Sequence, residues 1–145
     1  MSGFDFWHKW LLTASFLMII FGFSLILFNQ SQIFNLLCNN QINTVFWGKI
    51  PIPDETLLFQ KWIYGTLGAV IAGWGVFMTF ISTHSFRNKE RWSWNCFTCG
   101  LLLWFAADTA VSLYFHVATN VLLNIIIFIL LGLPLLFTKK YFNQA

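Results

Sequence analysis

Long apolar runs separated by short polar gaps dominate this chain of 145 residues. Residues 10–28 and 62–81 contain no charged side chain, and residues 96–137 contain one, Asp108. A helix needs about 20 apolar residues to cross the roughly 30 Å hydrocarbon core of a membrane, so each of the first two runs has the length of one crossing. As a single helix the third run would be about 63 Å long, twice that thickness, and it is therefore expected to fold back once.

The fold-back of the third run is expected around His116 to Thr119, where polar side chains interrupt its middle. No Gly or Pro marks this turn, so its boundary is open by several residues. The chain is thus predicted to be an all-α integral membrane protein, a single membrane domain over residues 1–145 built as a four-transmembrane-helix bundle. The four predicted spans cover about residues 10–28, 57–82, 95–115 and 117–137, and they are joined by an outer loop at 29–56 and a cytoplasmic loop at 83–94.

Composition excludes the other protein classes. Charged residues make up 9% of the chain, against about 25% in an ordinary soluble domain. Apolar residues make up 58%, and the mean hydropathy is +0.70. A soluble protein of this size would expose much of that apolar surface and aggregate. The formal charge of +3 does not indicate a nucleic-acid partner, because the basic residues lie in the gaps between apolar runs and not on one face.

The distribution of basic residues predicts the orientation in the membrane. Four spans place both termini and the 83–94 loop on one side, and that side carries six of the eight Lys and Arg residues. Cytoplasmic loops carry the excess of positive charge, so both termini are expected in the cytoplasm, with the protein in a plasma or inner membrane. The six residues are Lys9, Arg87, Lys89, Arg91, Lys139 and Lys140.

The outer loop is predicted to contain a short amphipathic segment. Ser31 is placed to cap a short helix, whose apolar side chains between residues 33 and 37 would lie flat at the membrane interface. Pro53 cannot lie inside a helix, and Asp54 is expected to cap one that begins at Glu55. Two roles are open for this loop: a connector that shields the end of the bundle, which we favour, and a lid over a pocket.

Polar residues inside the third and fourth spans form the strongest functional signal. Asp108 and Ser112 are one turn apart on one face, and Asn120 and Asn124 repeat that spacing in the next span. If the hairpin turns at His116, Asp108 lies at the depth of Asn124 and Ser112 at the depth of Asn120. An ionisable side chain near the bilayer centre costs about 2.5–3.5 kcal/mol on insertion scales, so it needs a partner or a function. Hydrogen-bonded helix packing is the structural alternative.

Two aromatic residues near mid-span, Trp74 and Trp104, extend this signal to a predicted pocket. With Tyr64 they would line it in the outer half of the bundle, with aromatic faces suited to a cation. The predicted function is a non-enzymatic binding or transport protein for a membrane lipid or a lipophilic, optionally cationic, small molecule, anchored by Asp108. No catalytic residue, metal or cofactor is predicted. The predicted ligand-binding residues are Tyr64, Trp74, Trp104, Asp108, Ser112, His116, Asn120 and Asn124.

Two alternatives use other motifs. Cys96 and Cys99 form a CxxC motif at a helix start, which resembles that of small four-helix membrane thiol oxidoreductases. The resemblance implies a quinone-linked thiol oxidoreductase, although the charge count places the motif on the cytoplasmic side, where disulfides are rare. The stripe formed by Gly65, Ala69 and Gly73 allows close approach of helices, so the chain is alternatively a homodimer or a structural subunit of a larger membrane complex that docks through it.

Overall fold

A computed structural model describes residues 3–142, which are helical with short connections and contain no strand. Four helices, α1, α4, α5 and α6, are long and apolar enough to cross a membrane. Single π-helical turns follow α2 at Asn35–Asn39 and α4 at Ser82–Phe86, and a 3-10 turn follows α6 at Lys139–Tyr141. The α-helices are α1 Gly3–Phe28, α2 Gln32–Phe34, α3 Asn40–Trp47, α4 Asp54–Ile81, α5 Arg91–Tyr114 and α6 Ala118–Thr138.

The long helices extend beyond the apolar runs that reveal them. The first helix already begins at Gly3, and α5 begins at Arg91. Charged residues adopt a helical conformation as readily as apolar residues do. The apolar run therefore indicates which part of the helix lies in the membrane core, but it does not indicate where the helix begins or ends. Asp54 is not the N-cap that its position suggested, because Pro53 takes that position and Asp54 is the first residue of α4. At this position its negative charge interacts favourably with the positive end of the helix dipole.

The tightest packing in the bundle joins α1 to α4 through small residues. A Cβ atom added to Gly22 would lie 2.5 Å from both Gly68 O and Ala72 N, and one added to Gly75 would lie 2.8 Å from Ile19 N. No side chain fits between backbones at that separation. The small residues therefore let the two helices approach closely, and close packing of this kind drives helix association in lipid.

An aromatic cluster closes one end of the bundle, which we call the terminal end. Phe86, just after α4, packs against Phe142 with ring centroids 4.7 Å apart, and Phe4 of α1 lies 6.1 Å from Phe86. His8 is buried beside this cluster, with its Nε2 atom 3.0 Å from Ser82 O. The start of α1, the end of α4 and residue 142 therefore meet at this end.

A proline inside α6 sets the contact between α6 and α1. Pro134 has no backbone N–H, so it cannot donate to Leu130 O, the acceptor one turn earlier. Trp10 of α1 donates its indole Nε1–H to this oxygen at 2.9 Å. In lipid, where no water can replace a lost backbone partner, this hydrogen bond satisfies the carbonyl that the proline leaves free.

Side-chain amides organise the opposite end of the bundle, which we call the loop end. Asn29 Nδ2 donates to Leu25 O at 2.6 Å and so caps the last turn of α1. Asn39 Nδ2 donates in turn to Asn29 O at 2.9 Å, and both asparagines are buried. Ser31 accepts a hydrogen bond from Phe34 N at 3.2 Å and caps α2. The amide-rich sequence therefore folds as a chain of caps that holds α2 against the end of α1.

Candidate functional site

The carboxyl group of Asp108 lies at the centre of a polar cluster between α5 and α6. Its Oδ1 atom accepts hydrogen bonds from Asn120 Nδ2 at 2.6 Å, Asn124 Nδ2 at 3.1 Å and Ser112 Oγ at 3.1 Å. The structure thus brings together four of the residues predicted from the sequence. Their spacing explains the meeting, because residues one turn apart share a helix face and the hairpin places the two faces opposite each other.

Additional hydrogen bonds fix these side chains to each other. The Ser112 hydroxyl shares its single hydrogen between Asp108 Oδ1 and Asp108 O, which lies 2.7 Å from Oγ, and Oγ accepts from Asn120 Nδ2 at 2.7 Å. Asn124, only 1% exposed, also donates to Thr109 Oγ1 at 3.3 Å. Thr109 is a member of the cluster that sequence spacing did not indicate, since a threonine in an apolar helix more often bonds its own backbone.

The two oxygens of the Asp108 carboxyl have different surroundings. Oδ1 accepts three hydrogen bonds, whereas no residue from 3 to 142 donates one to Oδ2. Asp108 is half-buried, and Oδ2 is not among the fully enclosed unpartnered atoms. The geometry therefore presents a carboxyl group with its hydrogen-bond donors on one oxygen, whereas the other oxygen receives none from residues 3–142.

The turn of the α5–α6 hairpin lies at residues 115–117. His116 adopts a left-handed backbone conformation with φ of 58°, and its N–H donates to Leu113 O at 3.1 Å. Its side chain is exposed, and none of the hydrogen bonds found between residues 3 and 142 joins it to Asp108. The structure does not bring His116 into the polar cluster.

The three aromatic residues predicted to line the pocket lie in two different parts of the bundle. Trp74 of α4 and Trp104 of α5 pack against each other with ring centroids 5.8 Å apart, and Trp104 is one turn before Asp108 on the same helix. Tyr64 instead lies near the loop end, where its ring packs against Phe34 at 5.4 Å and its hydroxyl accepts from Gln60. The tryptophan pair extends the polar cluster toward mid-span, whereas Tyr64 belongs to the loop end.

The segment that contains α2 and α3 covers the hairpin next to the polar cluster. Gln41 Oε1 accepts a hydrogen bond from Thr119 N at 2.7 Å and a second from the hydroxyl of the same residue. Phe46 packs on Phe115 with ring centroids 5.8 Å apart. Val117 provides no side-chain cap for α6, so Gln41 satisfies the first turn of that helix from outside. The sequence signal was limited to the excess of amides in this segment.

Two cavities open elsewhere in the bundle. The larger, of about 430 Å³, lies between α1 and α6 near the terminal end. The smaller, of about 170 Å³, lies between α4, α5 and α6, and it is lined by Trp74 and Cys96 among others. Asp108 lines neither of them. A ligand of the carboxyl group would therefore approach from the surface of the bundle and not from either cavity.

The cysteines are separated by the fold. Cys96 and Cys99 are exposed near the start of α5, and neither forms a disulfide. Cys38 lies at the loop end, where burial raises the pKa of its thiol. Thiolate chemistry at Cys38 is therefore disfavoured. No group of three or more potential metal ligands occurs within residues 3–142.

The small residues of α4 lie on two different faces. Those around Gly68 pack against α1, whereas a Cβ atom added to Gly65 or Gly73 would meet nothing within 4 Å. Ala69, between them, is exposed. The stripe formed by these three residues therefore faces away from the bundle.

Comparison of the chain with models of protein families, with curated proteins and with solved structures finds no match to any of them. Functional inference consequently depends on the chemistry of the site, because fold alone does not determine function.

Proposed function

We propose that the protein is a membrane-embedded binding protein for a lipophilic cation, with Asp108 as its polar anchor. The observation that carries this proposal is the asymmetry of the carboxyl group, one oxygen of which accepts three hydrogen bonds while the other has no partner among residues 3–142. Helix packing alone would require only the first oxygen. A carboxylate inside the membrane is costly, and such residues usually mark binding sites or ion and proton pathways.

Neighbouring groups suit a cation that carries apolar substituents. Trp104 lies one turn from Asp108 and packs against Trp74, and indole faces attract cations by about 0.5–2 kcal/mol. The segment that contains α2 and α3 is attached at Thr119, the residue before Asn120. In a transporter the same carboxyl would exchange the cation for a proton.

The proposal includes an orientation with both termini in the cytoplasm and with α2 lying at the outer interface. The excess of Lys and Arg at the terminal end supports this orientation. The exposed side chains of Ile33, Leu36 and Leu37 support an interfacial position for this segment. A single reporter cysteine at Asn88 is expected to react with an impermeant reagent only from the cytoplasm, and one at Asn43 only from outside. The opposite pattern would reverse the orientation.

The binding proposal is tested with Asp108→Asn and the probe tetraphenylphosphonium. Asn retains an oxygen that can accept from Asn120 and Asn124, so the fold is preserved, but it cannot ionise. The variant is expected to lose at least tenfold in affinity, about 1.4 kcal/mol, because a neutral amide does not attract the cation. Thermal stability in detergent at graded probe concentration measures the affinity.

The matched control is Asp54→Asn, which removes the same charge from the exposed start of α4. It is expected to bind the probe as wild type does. Equal affinity for the probe in wild type and Asp108→Asn would show that Asp108 serves only to join α5 and α6.

A second candidate function, a subunit of a homodimer or a larger membrane complex, is favoured by the outward-facing stripe. A Cβ atom at Gly65 or Gly73 would meet no other atom of the described chain, and small residues at such a surface permit close docking of another helix. Gly73→Leu is expected to dissociate such a complex without unfolding the monomer. Mass measurement in mild detergent tests this, and a monomeric wild-type protein with no co-purifying subunit would contradict it.

A further inference from the structure

A groove lies between α1 and α6 near the terminal end. Its volume is about 430 Å³, within the range typical of small-molecule pockets. The groove opens on the side of the bundle that faces away from the other helices, where Leu17 is 46% exposed and Phe6 is 47% exposed. The seven residues that line it are Phe6, Lys9, Trp10, Thr13, Ala14, Leu17 and Leu130.

One wall of the groove is formed by aromatic side chains that already contact α6 without a ligand. Trp10 donates its indole N–H to Leu130 O at 2.9 Å, so its ring bridges the two helices. Toward the terminal end, Trp7 stacks on Phe137 with ring centroids 4.6 Å apart and planes 10° apart. A preformed wall lowers the entropy cost of binding, because few side chains need to be ordered.

Polar and apolar groups are segregated along the groove. Lys9, its only cationic residue, lies near the terminal end, and Thr13 follows one turn later. Leu17 lies about 12 Å further along the helix axis than Lys9, as the helical rise requires. An ammonium at one end of an apolar trough matches a phosphate attached to an acyl chain. The terminal end also carries most of the basic residues of the chain, which favour anionic lipid headgroups.

We propose that this groove binds one anionic phospholipid, with its phosphate on Lys9 and an acyl chain along Ala14, Leu17 and Leu130. The lipid covers the Trp10 contact and joins α1 to α6 at the membrane surface. This site is separate from the Asp108 cluster and does not depend on its function. Zwitterionic phospholipid has the same acyl chains and phosphate but no net charge, so it distinguishes headgroup recognition from simple apolar filling.

The test is native mass spectrometry of full-length protein released from nanodiscs that contain equal amounts of phosphatidylglycerol and phosphatidylcholine. Wild-type protein is expected to retain one phosphatidylglycerol at least fivefold more often than one phosphatidylcholine. Lys9→Gln is expected to reduce this preference about fivefold, which corresponds to about 1 kcal/mol for one basic residue near an anionic headgroup. Lys9→Arg is expected to keep it.

Two further variants control for general surface charge and for location. Lys140→Gln removes a charge from the same end, but Lys140 lies 5.1 Å from the Tyr141 ring centroid and does not line the groove. It should leave the preference unchanged. Thr13→Trp, an exposed substitution that fills the groove, should prevent retention of either lipid. Leu17→Trp, checked for native helicity, repeats this test if the first variant misfolds.

The proposal fails if Lys9→Gln and Lys140→Gln reduce the preference equally, because the attraction would then come from the whole surface. It also fails if either groove-filling variant folds and still retains phosphatidylglycerol, because the lipid would then bind elsewhere. Equal retention of both lipids by wild-type protein would show that the groove does not recognise the anionic headgroup.

Discussion

The hydrogen bond from Trp10 to Leu130 O should contribute most to the free energy of unfolding when residue 134 is proline. The bond is 2.9 Å long, and it goes to the carbonyl that a residue other than proline at position 134 would normally satisfy. Trp10→Phe keeps an aromatic ring in the same place but removes the donor. Pro134→Ala supplies a backbone N–H for Leu130 O. A double-mutant cycle over these two substitutions therefore isolates the role of the indole.

The expected magnitude follows from the environment of the carbonyl. Leaving a buried acceptor unsatisfied costs about 1–3 kcal/mol, and hydrogen bonds between membrane helices contribute about 0.6–2 kcal/mol. Trp10 is 36% exposed at the bundle surface, and the hydrocarbon of a membrane around that surface would offer the freed carbonyl no other donor. We expect Trp10→Phe to lower the free energy of unfolding by about 1–2 kcal/mol. In the Pro134→Ala background the loss should shrink by about 1 kcal/mol, leaving only the difference in packing.

The assay is equilibrium unfolding in mixed micelles with increasing mole fraction of sodium dodecyl sulfate. Pulse proteolysis measures the folded fraction at each point, so the eight tryptophans of the chain do not complicate the signal. Trp62→Phe is the matched control, because Trp62 is exposed on α4 and lies far along the chain from α6. Its effect should be the same in both backgrounds.

The reasoning would be refuted if Trp10→Phe lowered the free energy of unfolding equally in the presence and in the absence of Pro134. The indole would then contribute through packing alone, and the carbonyl of Leu130 would need no external donor. A larger loss in the Pro134→Ala background would refute it as well, since the two donors would then not be alternatives.

Close packing, the cap on α6 and the thiol at the loop end lead to further expectations. Gly22→Ala should lower the free energy of unfolding by about 2 kcal/mol, because its Cβ atom would lie 2.5 Å from α4 backbone atoms. Gly73→Ala, with nothing within 4 Å, should have little effect in the same titration; equal losses would contradict the assigned interface. Gln41→Ala removes the acceptor for the first turn of α6, so amide exchange at Thr119 should accelerate about fivefold, as expected for a lost cap of about 1 kcal/mol. Burial raises the pKa of Cys38 above the ordinary 9.0, so maleimide labelling of a variant with this single cysteine should keep accelerating above pH 9. Labelling that levels off at the same pH as in denatured protein would contradict this.

The sequence predicted the centre of the candidate site better than its periphery. Asp108 and Asn124 meet because helical periodicity and one tight hairpin fix their relative positions within 16 residues of chain. Gln41 and Thr119 are 78 residues apart, and no local pattern relates them. Tyr64 was assigned to the same pocket from its aromatic character, but α4 places it at the loop end beside Phe34. Sequence spacing therefore locates partners within a hairpin but not partners from different parts of the bundle.

The existence of four apolar helices was determined by the sequence alone. Each helix satisfies its own backbone hydrogen bonds and must match the membrane thickness, so local composition and length suffice to identify it. The tertiary structure decided which helix faces meet. The two small-residue faces of α4 are alike in composition, yet Gly68 packs against α1 while Gly73 faces outward. In lipid no hydrophobic gradient distinguishes the faces of a helix, so close packing and individual hydrogen bonds, such as that from Trp10 to Leu130, select the pairing.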